Sequence, residues 1–196
     1  LGSALATGLQ TEAQADLING GKPLSGADVQ AFANTAAKFL TAPNGPSIAV
    51  LSLDGFDTHA RQGAVEGQLA QRLSVVDNVI AGLQTGMGDQ WKDTVVIMAT
   101  EFGRTARING TAGTDHGTAS CMVLAGGALK AGGIIGDWPT LQNAKLFENR
   151  DLAPTLDVRS VFKGVLIDHM GMDRRALDTT VFPNSAEAQP ARGLIA

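Results

Sequence analysis

Two of the chain's three histidines sit in short acidic motifs. One motif is Asp54-Gly55-Phe56-Asp57-Thr58-His59, and the other is Gly113-Thr114-Asp115-His116-Gly117. Between them lies Thr100-Glu101-Phe102-Gly103-Arg104-Thr105. Imidazole nitrogens mixed with carboxylate oxygens are a ligand set for Zn, Mn or Fe, and the oxygens alone also suit Mg or Ca. An ion held this way polarises an ester oxygen and acidifies a bound water. A guanidinium grips phosphate or sulfate with a planar fork. The candidate metal ligands are therefore Asp54, Asp57, His59, Asp115 and His116. Glu101 and Arg104 are the candidate catalytic groups, with Arg104 on the anion. Each motif alone has a plainer reading. Asp54 or Asp57 would make an Asx-turn or a helix cap, and Glu101 with Arg104 would form a surface ion pair. The grouping of the motifs beside apolar runs raises the metal reading to equal weight.

Those apolar runs are the elements that must position the motifs. Ser47–Leu53, Thr94–Thr100 and Ser120–Leu124 are short, apolar and bounded by turn residues, which predicts buried strands. Leu69, Leu73, Val76, Ile80 and Leu83 make one face of an amphipathic helix between the first two. Val29, Phe32, Ala33, Ala36, Phe39 and Leu40 predict an earlier helix, with Ser25 as its N-cap and Asp28 completing a short capping box. Val158, Val161, Phe162, Val165 and Leu166 predict a last helix, ended near Gly171. Strand, helix and strand in this order make a βαβ unit with a right-handed crossover. The expected fold class is thus α/β, a mostly parallel sheet flanked by helices, with the functional crevice outside the carboxyl ends of its strands. A single domain is expected over 1–196. Residues 1–24 form an irregular lead-in with a short helix near 12–19, 25–170 the core, and 171–196 an extended tail.

Bulk composition narrows the function. A net charge of −4 and the absence of Tyr argue against nucleic acid as a partner. No apolar run is long enough for a membrane span. The single cysteine, Cys121, cannot form an internal disulfide and lies in an apolar run, which predicts a buried structural thiol. His169 reads as structural, near a helix end. Asp157 and Arg159 read as a buried structural pair, with lining the site as the alternative. The glycines at 126–136 lack the lysine of a phosphate loop, and no Gly-x-Ser-x-Gly elbow occurs.

Taken together and in order, the motifs resemble a bacterial family, the domain of unknown function 1501. The resemblance is carried by Gly55-Phe56-Asp57-Thr58-His59, Thr100 through Thr105, Asn109-Gly110 and Gly113 through Gly117. Gly126-Gly127, Gly132-Gly133, Gly136-Asp137-Trp138-Pro139 and Asp157-Val158-Arg159 continue it, over roughly residues 47–185. It implies an alkaline phosphatase-like core, in the superfamily that includes sulfatases. Such proteins carry two metals and an alcohol nucleophile. On that pattern Asp54 or Asp57 with His59, and later His116, resemble the ligands of one metal. Glu101 stands near the second pair, but Phe102 stands where a histidine would be. The resemblance also implies a longer, exported protein with a twin-arginine signal and a periplasmic location. This chain would then be its C-terminal half, incomplete at the N-terminus, with the missing half or a second chain as partner. The expected function is metal-dependent hydrolysis of a small anionic phosphate or sulfate ester. The alternative is a non-catalytic exported binding or structural module with a degenerate metal site.

Overall fold

A computed structural model describes residues 26–130 and 132–196. The expected helix near 12–19 and the Ser25 cap lie outside the described residues. The chain divides into two compact units. The first is 26–91 together with Gly110–Gly113, and the second is Lys92–Asn109 with Thr114–Ala196.

The first unit is a helix pair with a loop. Helix α1 spans Gly26–Thr41 and helix α2 spans Gln68–Met87. Their shared core is Val29, Ala33, Ala36 and Ala37 against Val79, Leu83 and Met87. This buried face of α2 is rotated from the expected stripe, and Leu73 is half exposed. Glycine explains the rotation. A Cβ on Gly82 would come within 2.6 Å of the Ala33 Cβ, and one on Gly86 within 2.5 Å of the Ala37 Cβ. The alanines of α1 dock where α2 has no side chain, so the helices approach closely, with Leu83 inside and Leu73 turned aside.

Ser47–Leu53 is not a strand. Ile48 is 57% and Val50 81% exposed, and the segment pairs with nothing among the described strands. The expected βαβ unit therefore lacks its first member. The second unit carries β1 (Val96–Met98), β2 (Gly103–Arg104), β3 (His116–Gly117) and β4 (Val123–Ala125). They form two two-stranded sheets, β1 with β4 and β2 with β3, both antiparallel. The mostly parallel, helix-flanked sheet of an alkaline phosphatase-like core is thus overturned. The reason is connectivity. The chain between β1 and β4 contains no helix to carry a parallel crossover. It folds back through the β2–β3 pair and returns alongside β1 in the opposite direction.

Helix α3 (Val158–Asp168) supplies the core of the second unit, where Val161, Val165 and Leu194 pack with Val95, Ile97, Met122 and Leu124. Asp157 is its N-cap: the carboxylate accepts the Arg159 backbone N–H at 2.8 Å and is gripped by the Arg159 guanidinium at 2.6 Å. The pair caps the helix as a structural ion pair, but it is part-exposed rather than buried. His169 is the C-cap. The tail expected to be extended over 171–196 contains helical turns at Arg174–Ala176 and Leu177–Val181, and its end is pinned to α3: Ala191 N–H donates to the Ser160 carbonyl at 2.8 Å. Lys163, fully buried on α3, donates to Asp178 and to the Ser185 and Ala188 carbonyls. All three of its protons have acceptors, which is the condition for burying an ammonium. Cys121 is exposed, not buried as its apolar neighbours suggested. No described helix is long and apolar enough to cross a membrane.

Three carboxyls of this unit sit below their ordinary range. Arg159 bonds hold Asp157 down against its burial. Lys163 and then Arg174 hold Asp178 down. Burial pushes Asp151 up, but the Thr118 and Arg150 bonds together outweigh it. A depressed carboxyl stabilises the fold above its unfolded pKa and loses that contribution as pH falls through the folded value. Urea unfolding should therefore show stability constant from pH 7 to about 5 and falling below about pH 4. Asp178→Asn should flatten that fall. An identical acid profile in the variant would contradict the assignment.

Candidate metal centre

The first histidine sits on a loop that has no regular structure and is held by specific bonds. Thr58 N–H donates to the Phe56 carbonyl at 2.9 Å and His59 N–H to the Asp57 carbonyl at 3.2 Å, two consecutive tight turns. Thr58 is buried, and its hydroxyl donates to Gln62 Oε1 at 2.8 Å. The start of α2 braces the loop: Gln68 Nε2 donates to the Ala60 and Arg61 carbonyls, and Leu69 N–H to the Gln62 carbonyl. These turns place Asp57 Oδ1 3.0 Å from His59 Nε2. Both side chains are about half exposed. Two ligands on one divalent ion lie roughly 2.9–3.4 Å apart, given metal–ligand distances near 2.0–2.1 Å. The pair is thus spaced as an ion would hold it.

Residues 110–113 belong to this unit because they strap the loop. Arg61 and Gln62 N–H groups donate to the Thr111 and Ala112 carbonyls, each at 2.9 Å, and the Thr111 hydroxyl donates to the His59 carbonyl at 2.7 Å. Arg61 and Ala112 adopt left-handed φ values of 46° and 57° here, a conformation that non-glycine residues hold only when neighbours enforce it. Gly113 completes the strap. A Cβ there would stand 2.2 Å from the His59 carbonyl carbon.

In the second unit, Arg104 and His116 face each other across the β2–β3 ladder. The Arg104 Nε donates to the Thr114 hydroxyl at 3.0 Å, and a terminal nitrogen donates to the Thr114 carbonyl. The guanidinium thus braces the second motif. Asp115 is doubly fixed: its backbone exchanges bonds with Thr105, and Asn109 Nδ2 donates to its Oδ1 at 2.9 Å. His116 is exposed and stacks on Phe102, with ring centroids 4.2 Å apart and planes at 30°. Phe102, which read in sequence as a lost ligand, is thus a platform that sets the plane of an imidazole. Asp54 and Glu101 are both exposed on their loops.

A family model covers residues 4–181, and its description is protein of unknown function, DUF1501. The chain belongs to the DUF1501 family. No curated protein and no solved structure matches it. The DUF1501 motifs are therefore read from their own geometry.

Sequence reasoning missed Asp151. Its fully buried carboxylate accepts the Thr118 backbone N–H just after β3 and the Arg150 Nε at 3.1 Å. It anchors the strand that bears His116. It also missed the strap at 111–113. The Asn109-Gly110 turn and Gly113 were visible, but hydrogen bonds to a loop fifty residues earlier have no local signature. Gly113→Ala should cost about 1–3 kcal/mol, as overpacking against backbone does. It should also broaden the NMR signals of His59 while leaving those of the buried α3 core unchanged. Unchanged stability and His59 signals would refute the strap.

Proposed function

We propose that this DUF1501 chain is a metal-dependent hydrolase-like protein acting on a phosphate or sulfate ester. Asp57, His59 and His116 would hold one divalent ion, with Asp54, Asp115 and Glu101 as further ligands or as groups that orient the imidazoles. The observation that carries the reading is the Asp57–His59 pair, preset at 3.0 Å on a strapped loop. The donor set supports it: one carboxylate and two imidazoles suit Zn or Mn.

A divalent ion in this position would polarise the ester and lower the pKa of a bound water. The protein's own contributions are positional. The tight turns at 56–59 hold the Asp57 and His59 side chains together. Phe102 restricts rotation of His116. Arg104 fixes Thr114, and through it the backbone leading to His116. Export to the periplasm would be the corresponding location, as the resemblance of the motifs implies.

Metal analysis after loading with Zn or Mn tests the proposal. Wild type should retain about one equivalent through gel filtration. A His59→Ala, His116→Ala double variant should retain at least tenfold less, in line with the loss of a ligand contact. Equal retention by both would sink the metal centre. Retention without turnover of aryl phosphates or sulfates would leave a binding module instead.

A further inference from the structure

The second unit contains an open cleft of about 260 Å³, lined by Thr105, Arg107, Ile108, Asn109, Asp115 and Arg150. That volume is small for a drug-sized ligand and adequate for a tetrahedral oxyanion. Two guanidiniums border it, and they differ in what they touch.

Arg107 is held entirely by neutral oxygens. One terminal nitrogen donates to the Asn149 carbonyl, and the other donates to Asn143 Oδ1 at 2.8 Å and Asn149 Oδ1 at 3.2 Å. These bonds fix the fork without cancelling its charge. Among the described ion pairs none involves Arg107. Arg150 gives its Nε to Asp151 at 3.1 Å and is half exposed. Its two terminal nitrogens remain chemically able to take a second acceptor.

Asp115 contributes the opposing charge. With Asp151 it balances the formal charge of the two arginines. If Asp115 neighbours a divalent ion, that negative charge is offset and the guanidiniums dominate. The cleft therefore becomes attractive to an anion in the state in which the metal is bound.

We propose that Arg107, with Arg150, forms the oxyanion subsite of this protein, taking the phosphate or sulfate group of an ester. This displaces Arg104, whose guanidinium is engaged with Thr114. The substrate class and the effect of the metal rest on the hydrolase reading given above, whereas the fixed guanidinium fork does not. Arg107 acts by charge and by a fixed fork. Lysine would keep the first property and lose the second.

Binding of inorganic phosphate to the whole protein tests the subsite, measured by calorimetry in chelator and again with Zn. In chelator, wild type should bind weakly, and Asp115→Asn should bind more tightly because it removes the opposing charge. Arg107→Gln should weaken binding about tenfold or more in either condition, consistent with loss of a charge-assisted bond. Arg107→Lys should fall between wild type and Arg107→Gln. Asn143→Ala, which loosens the fork and keeps the charge, should also weaken binding. Thermal unfolding should confirm that each variant is folded. Equal phosphate affinity in wild type and Arg107→Gln would overturn the subsite, as would no saturable binding by wild type with Zn and by Asp115→Asn. Zn retention measured on the same samples separates the two ideas. Phosphate binding without Zn retention removes the metal reading and keeps the subsite, and the converse removes the subsite alone.

Discussion

Three hydrogen bonds join the His59 loop to residues 111 and 112: two backbone N–H groups of Arg61 and Gln62, and the Thr111 hydroxyl. The loop from Asp54 to Gln62 has no ladder or helix of its own, so its conformation depends on such partners. The left-handed backbone at Arg61 and Ala112 is the cost of the arrangement, about 1–2 kcal/mol for each residue. Strain of this kind persists where surrounding contacts enforce it, and it clusters at functional sites. Here it lies within three residues of His59 and four of His116. The same short strap thus fixes the backbone beside one candidate ligand and leads directly into the motif of the other.

The two histidines are prepared by different physics. His59 is oriented by a neighbouring carboxylate, an interaction that survives only while the tight turns at 56–59 persist. His116 is oriented by an aromatic face and by the β2–β3 ladder, with buried Asp151 holding the strand behind it. Arg104 and Asn109 stiffen the backbone and carboxylate on either side. Charge follows the same division. The carboxylates near the histidines are exposed, whereas Asp151 is buried and compensated by Thr118 and Arg150. The exposed group suits ligand binding and the buried one suits support.

Much of the helical structure was legible in the sequence because period and capping are local signals. Val158 to Leu166 with Asp157 before them specify α3, and both earlier helices were visible from their spacing. The buried face of α2 was not, because the stripe of leucines conceals the role of Gly82 and Gly86. The sheet was misread for a related reason. An apolar run such as 47–53 announces burial and not pairing, and pairing is decided by the connection. The residues from 99 to 122 hairpin back instead of crossing over, which makes the ladders antiparallel. The site residues were legible by type, since histidines in acidic motifs are rare in this chain. Their partners were not. Thr111, Asp151, Arg107 and the stacking role of Phe102 depend on contacts distant in sequence or on ring geometry.

Amide hydrogen exchange on addition of Zn addresses the central claim most directly. The Arg61 and Gln62 amides report on the strap at His59, and the Thr105 amide, bonded to the Asp115 carbonyl at 2.9 Å, reports on the His116 motif. One ion ligated by both motifs should slow all three amides together, over the same range of Zn concentration. Slowing on the His59 side alone, or on neither side, would contradict a shared metal centre.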